Sequence, residues 1–425
     1  MKTVSWVDLF CGAGGTSTGL TQAARKKGVK LELTAINHWD KAIETHSVNH
    51  KRVRHLQTNI SSIEPRKTFP KGLDGLWASP ECTHHSNALG GKPRSEQSRS
   101  SAFGVLDWVQ ALMPKVFGIE NVREFINWGP LDKNGKVIKK LKGTIFHAWL
   151  NSIKALGYNL QWRIINCADY GDPTERKRFF LLASRIGEVH FPDITHIKKG
   201  EMKFSPNLKY WVPAKKVIDF SIPGKSIFNR KKPLVPKTMD RIRHGLKQGS
   251  KGNLLDPFLV MMYGTSKSVS LDRPLPTVTA SSVHHYLAKP FLVNMSHSKS
   301  KPSGMVRCTS RPLPTLVTAE EQALCEPFLI KYYGSSKTAS LDSPLPTVTT
   351  KDRFGLVQTF GLDVHLRMLK PHELSAGMSF PKSYKFVGNQ EEKVKQIGNA
   401  VPVKTARALC GQLLDLMLEK ERVVA

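Results

Sequence analysis

Short apolar runs, each separated from the next by a helix-like stretch, constrain this chain more than any other feature. Thr3–Phe10 and Leu31–Ile36 read as strands, with a glycine-rich turn and a helix through Ala23 between them. Leu73–Ala78 and Val116–Ile119 are further apolar runs, and Phe179–Ala183 follows a helical pattern around Ile145–Leu156. Strands alternating with helices require right-handed crossovers and give an α/β fold, with a parallel-type sheet covered on both faces. Ligands of such sheets sit beyond the carboxyl ends of the strands. Three polar segments fall at those ends: the turn after Phe10, Ser79-Pro80-Glu81-Cys82, and Glu120-Asn121.

From about Gly187 the texture changes to short segments rich in proline and lysine. Within them lies a threefold repeat that begins at Pro257, Pro290 and Pro327 and runs over 257–289, 290–326 and 327–357. Each copy opens on Pro-Phe-Leu and closes on Pro-Leu-Pro-Thr, and β-branched and aromatic residues dominate. Each therefore reads as a strand, a Gly/Ser/Lys loop and a second strand-like segment, rather than a pair of helices. From Leu366 the helical pattern resumes, and Val403–Lys420 carries Ala, Leu and Met at helical spacing, expected to pack on the N-terminal sheet. The predicted organisation is a catalytic body, residues 1–190 and 361–425, interrupted by a mostly β or irregular insert at 191–360.

The charge balance points to the partner. The chain has 64 Lys and Arg against 34 Asp and Glu, a net +30. An excess of this size predicts association with a polyanion through phosphate contacts, which favours nucleic acid. No segment approaches the ~18 uninterrupted apolar residues of a spanning helix, and Met1–Asp8 does not read as a secretory signal. The six cysteines form no CxxC pair and no disulfide-like spacing. Free thiols in a reducing cytoplasmic setting are expected.

Four segments carry chemistry. Asp8-Leu-Phe-Cys-Gly-Ala-Gly-Gly-Thr-Ser-Thr-Gly-Leu20 ends a strand in a turn holding Gly12, Gly14 and Gly15, where a backbone can approach a ligand closely. Ser79-Pro-Glu-Cys82 offers a thiol, Glu120-Asn-Val122 an acid at a strand end, and Gln396-Ile-Gly-Asn-Ala-Val-Pro402 a returning C-terminal segment. Arg176 and Arg178, in Thr174-Glu-Arg-Lys-Arg178, fall on one face of an extended chain. In this order the segments resemble the DNA (cytosine-5)-methyltransferases, over roughly residues 3–190 and 360–420. That family has a Rossmann-like methyltransferase domain, an inserted target-recognition domain and S-adenosylmethionine as methyl donor, and the resemblance implies a monomer acting on double-stranded DNA.

The resemblance implies roles. Phe10, Gly12, Gly14, Gly15, His38, Trp39, Asn59, Ile60, Pro80 and Asn399 would hold the cofactor, with Trp39 covering the adenine. Cys82 would be the nucleophile, Glu120 the partner of cytosine N3, and Arg176 and Arg178 the brace of an extruded nucleotide. The chemistry agrees: cytosine C5 is a poor nucleophile until a thiolate adds at C6. The chain also departs from the family. Glu81 precedes Cys82 where Pro is usual, His38 and Asn59 replace acids, and Glu175 replaces Gln. A carboxylate beside the thiol would raise its pKa. A metal site built from Glu81, Cys82, His84 and His85 is a weaker alternative, since coordination would occupy the nucleophile. The stretch after Cys82, with Gly90, Gly91, Lys92, Arg94 and Arg99, suits a flap over a phosphate backbone. Lys267, Lys299, Arg307 and Lys337 in the repeat are candidates for phosphate or base contacts. Two other readings stay open, an RNA cytosine-5 methyltransferase and a DNA-binding relative without catalysis. A dehydrogenase lacks its fingerprint glycines here.

Overall fold

A computed structural model of the chain describes residues 1–80, 101–202, 205–228 and 362–424. Between these last two it describes 230–236, 238–239, 242, 258–261, 268–277, 285–293, 306–307, 328–331, 338–340 and 354–357. The chain divides into two units, the first Met1–Ile218 with Asp272–Val283 and Lys370–Ala425, the second Asp219–Leu271 with His284–Leu369.

The first unit is built on β1 (Thr3–Leu9), β2 (Lys30–Asn37), β3 (Arg54–Gln57), β4 (Gly75–Ala78), β5 (Val116–Val122), β6 (Asn159–Asn166), β7 (Thr174–Glu175) and β8 (Lys177–Ser184). Seven of these strands make one sheet in the order β3-β2-β1-β4-β5-β8-β6. β1 to β5 are parallel, as the alternating pattern predicts. The sheet as a whole is mixed, because β8 runs antiparallel to both β5 and β6. The cause is the length of the connection: only Cys167–Arg176 separate β6 from β8, and a parallel crossover needs a dozen or more residues. β6 escapes the sequence reading because it is an edge strand with mostly exposed or half-buried positions, not an apolar run.

Side-chain alternation sends β1, β4 and β8 into two cores. Val7, Leu9, Leu76, Phe179 and Leu181 face one side, and Trp6, Trp77, Phe180 and Leu182 the other. The first face is covered by two helices, over Ser101–Leu112 and Thr144–Ala155. Among the described residues the α-helices of this unit are α1 (Gly15–Lys26), α2 (Asp40–Asn49), α3 (Pro65–Thr68), α4 (Ser101–Leu112), α5 (Thr144–Ala155), α6 (Pro371–Gly377), α7 (Gln390–Asn399) and α8 (Val403–Val424). Trp108 of α4 and Trp149 of α5 are buried on the first face; Leu20 of α1 and Leu409 and Leu413 of α8 are buried on the second. The C-terminal helix thus packs on the N-terminal sheet, as its spacing predicts. Its first turn is anchored by Asp172, whose carboxylate accepts from Lys404 N at 3.2 Å, Thr405 N at 2.9 Å and Thr405 Oγ1 at 2.7 Å. Short strands β9 (His196–Ile197) and β10 (Lys209–Tyr210) complete this part of the chain.

The second unit contains β11 (Lys225–Ser226), β12 (Phe258–Met261) and β13 (Ser268–Ser270), after which β14 (Leu275–Pro276) belongs to the first unit. It continues through β15 (His285–Val293), β16 (Val306–Arg307), β17 (Phe328–Lys331), β18 (Thr338–Ser340), β19 (Phe354–Val357) and β20 (Leu362–Met368). One sheet runs β11-β20-β15-β12-β13, and a second β18-β17-β19. The first and third repeat copies form the same hairpin: Phe258 pairs with Ser270, and Phe328 with Ser340. Among the described residues, no helix is long and apolar enough to cross a membrane.

Candidate active site

Parallel register places the predicted site residues on one edge of the sheet. Leu9 pairs with Ile36 and with Ala78, and Ala78 pairs with Ile119. The next residue on each strand is therefore Phe10, Asn37, Ser79 or Glu120. His38 and Trp39 continue β2, Asn59 and Ile60 follow β3, and Pro80 follows β4.

The glycine-rich loop turns at Phe10 (φ 57°), Gly12 (φ 52°) and Gly14 (φ 87°), all in the left-handed region. It is pressed from two sides. A Cβ on Gly14 would lie 2.6 Å from Tyr384 Oη and 2.9 Å from His46 Cδ2. A Cβ on Gly15 would lie 2.2 Å from Val401 O, in the C-terminal segment that carries Asn399. Beneath the loop, Thr18 Oγ1 donates to Gly14 O at 2.6 Å and Tyr384 Oη to Ala13 O at 2.5 Å. Having spent its hydrogen on Gly14, Thr18 accepts from His50 Nε2 at 3.1 Å. His46 Nδ1 shares a proton with His55 Nε2 at 2.8 Å. Burial, then the neighbouring imidazoles, hold His46 well below the usual range, and the same causes push His50 down to about 4. A neutral floor results. Asp8 at the end of β1 accepts from Ser17 Oγ at 2.6 Å, and burial pushes its carboxyl up to about 7.

Around this loop, His38 is exposed and Trp39 half-buried, with Lys395 Nζ 4.7 Å from the centre of its ring. Asn59 Oδ1 accepts from Ser61 N at 3.2 Å, and Ile60 is buried in the core. Asn399 is the exposed last residue of α7. Among the described residues no side chain caps the N-terminus of α1. A backbone turn open at Gly12, leading into an α1 N-terminus without a side-chain cap and beside a half-buried indole, fits a nucleoside-bearing ligand.

Glu120 is buried on β5. Burial raises its carboxyl above the usual range, while Arg178 and then Arg176 pull it down. Arg178 Nε lies 3.3 Å from Glu120 Oε1, and the charge of Arg176, itself buried, also reaches the acid. Asn121 Nδ2 reaches Pro80 O at 3.4 Å, tying the acid's strand to the one that leads towards Cys82. A buried acid flanked by two guanidiniums can donate a hydrogen bond to a heterocyclic nitrogen and hold a carbonyl beside it. Cys82 itself, Glu81, His84, His85, Gly90, Gly91, Lys92, Arg94 and Arg99 lie outside the described residues, as do Lys267, Lys299 and Lys337; Arg307 falls in β16. Among the described residues no cluster of three or more His, Cys, Asp or Glu is placed to hold a metal ion.

Sequence reasoning missed Lys395, the three histidines, Tyr384 and Asp172. Lys395 and Asp172 each stand beside a motif, before Gln396 and Thr174, but act through partners far along the chain, and the histidines form a cluster that no motif signals.

The family model described as C-5 cytosine-specific DNA methylase matches residues 4–415. DNA (cytosine-5)-methyltransferase 1A of Oryza sativa is 24% identical over 469 residues, 98% of this chain and 28% of its own length. The chain thus spans little more than a quarter of that relative. Type II methyltransferase M.AgeI of Thalassovita gelatinovora is 25% identical over 96% of this chain and 98% of its own. Among solved structures, the Entamoeba histolytica methyltransferase EhMeth is similar with a TM-score of 0.54 at 14% identity, covering 98% of this chain and 99% of that one. S. pombe Dnmt2 methyltransferase is similar at a TM-score of 0.52 and 15% identity over the same shares.

Proposed function

We propose, from the premise that the chain belongs to the C-5 cytosine-specific DNA methylase family, that it methylates C5 of a cytosine flipped out of double-stranded DNA. The observation that supports this most is Glu120, a buried acid held towards its protonated form beside Arg176 and Arg178. Such an acid suits cytosine N3, which must gain a hydrogen-bond donor as charge builds on the ring.

S-adenosylmethionine, the methyl donor of this family, supplies an electrophilic methyl group when bound. Phe10, Gly12, Gly14, Gly15, His38, Trp39, Asn59, Ile60, Pro80 and Asn399 are the residues that would hold it. In the duplex, the target base leaves the stack at a cost of a few kcal/mol, which pocket contacts offset. The Cys82 thiolate forms a bond to C6 while Glu120 donates to N3, and the electron pair moves to C5. Once C5 is methylated, a water removes its proton, the C5–C6 double bond re-forms and the C6–sulfur bond breaks. Arg178 and Arg176 hold the acid and the ring carbonyl in place throughout.

A duplex carrying 5-fluorocytosine tests the scheme, because fluorine in place of the C5 hydrogen blocks the last elimination. Incubated with S-adenosylmethionine, the native chain should form a stable conjugate, and Cys82→Ser should form none. Tight duplex binding with no conjugate would remove the covalent route. Methyl incorporation into tRNA but not duplex DNA would replace the substrate.

A further inference from the structure

One piece of the repeat array parts company with its neighbours. Asp272–Val283 clusters with the first unit, while the residues on either side belong to the second. It begins with the close of the first repeat copy, Arg273-Pro274-Leu275-Pro276-Thr277. Leu275 and Pro276 run parallel to Thr174 and Glu175 of β7. Leu275 N donates to Pro173 O at 2.8 Å, and Thr277 Oγ1 donates to Glu175 O at 3.1 Å. Leu275 is fully buried, and a Cβ on Gly377 would come 2.5 Å from its Cδ1. Across this short ladder Arg273 Nε and Nη2 donate to the two carboxylate oxygens of Glu175 at 2.9 and 2.7 Å.

The next residues after β7 are Arg176 and, two further on, Arg178, which flank Glu120. A two-residue ladder offers few backbone bonds to fix that position. The guanidinium–carboxylate pair adds two charge-assisted bonds in a fixed fork geometry. Glutamine, usual at position 175 in the resembling family, could not make a charged pair. The copies also differ: Arg311 occupies the matching place in the middle copy, but Ser343 does in the third.

We propose that Arg273 and Glu175 form a positioning latch, by which the segment Arg273–Thr277 fastens to β7 and holds Arg176 and Arg178 at the working distance from Glu120. The proposal rests on the methyl-transfer reading above. The latch acts on the chemical step and leaves the cofactor loop alone, since its atoms touch neither the glycine turn nor Trp39.

The test uses the full chain with Arg273→Ser, which copies the third repeat, with Glu175→Gln, and with the reversed pair Glu175→Arg/Arg273→Glu. Single-turnover methyl transfer to duplex DNA is measured beside S-adenosylhomocysteine affinity by calorimetry. Each single change should slow transfer on the order of tenfold, because small misplacements of catalytic groups cost rate steeply. Cofactor-product affinity should stay within about twofold, and the reversed pair should regain most of the rate, which a packing role alone would not produce. Native rates in both single variants overturn the latch. So does a loss that reversal fails to relieve. A native chain that transfers no methyl group to any duplex overturns instead the reading beneath it.

Discussion

At Glu120, burial and charge pull in opposite directions, and burial prevails. A carboxyl poised in this way can work as a donor only while protonated, so Glu120→Gln keeps an N–H donor but loses the acid's response to charge on the ring. Methyl transfer should fall by about a hundredfold or more, within the range of acid–base contributions, with S-adenosylhomocysteine binding retained by calorimetry. Unchanged turnover would take Glu120 out of the chemistry. Asp8 makes a second prediction. Its carboxyl is raised from 3.8 to about 7, so its contribution to stability is complete below pH ~4 and is lost as pH rises towards 7. His50, lowered from 6.5 to about 4, acts in the opposite sense, losing its contribution as pH falls through that window. Asp8→Asn removes only the first effect. Its melting temperature, relative to the native chain, should therefore climb between pH 5 and 8; a constant difference would refute the burial account. Glu120 and the arginine pair were legible in the sequence because each sits in or beside a strand-end motif. Asp8 and Lys395 were not: what matters about them is desolvation, or a ring more than 350 residues away in the chain.

Between elements, the decisive contacts join the glycine turn and the C-terminal segment. Gly15 admits Val401 O where a methyl group would sit 2.2 Å from it. Gly15→Ala should therefore destabilise the fold by about 1–3 kcal/mol, the usual cost of overpacking, and weaken S-adenosylhomocysteine binding in the same variant. Normal stability and binding would mean the segment can retreat at no cost. Asp172 joins the two halves of the body by capping the first turn of α8, and its burial raises its carboxyl to about 6 despite those bonds. Four of the five parallel strands, β1, β2, β4 and β5, were legible as apolar runs; β3, Arg54-His-Leu-Gln57, was not, because it offers no such run. The reversal at β8 was not, because it follows from a connection too short to cross over, joined to an edge strand whose residues are too polar to register as one.

Across the whole molecule, charge and repetition set the behaviour. A net +30 implies many phosphate contacts, and each released counterion adds close to one unit to the slope of log affinity against log salt. Duplex binding should therefore weaken steeply between 50 and 200 mM salt, by roughly 10³-fold or more if six or more phosphates are neutralised. A shallow slope would assign the charge to some other polyanion. The repeat bears on specificity. The first and third copies fold into hairpins of identical register, Phe258 with Ser270 and Phe328 with Ser340. The sequences joining their strands nearly coincide as well: Tyr263, Gly264, Ser266 and Lys267 correspond to Tyr333, Gly334, Ser336 and Lys337. The middle copy has His297 and a proline, Pro302, in that region instead. Base recognition depends on which side chains reach the groove edges, so on the function proposed above two chemically distinct kinds of copy would supply two sets of contacts. Duplex DNA from cells expressing the chain should then carry 5-methylcytosine in more than one sequence context. Bisulfite sequencing reads this directly, and a single invariant motif across the genome would mean that only one kind of copy meets the bases while the others serve the scaffold.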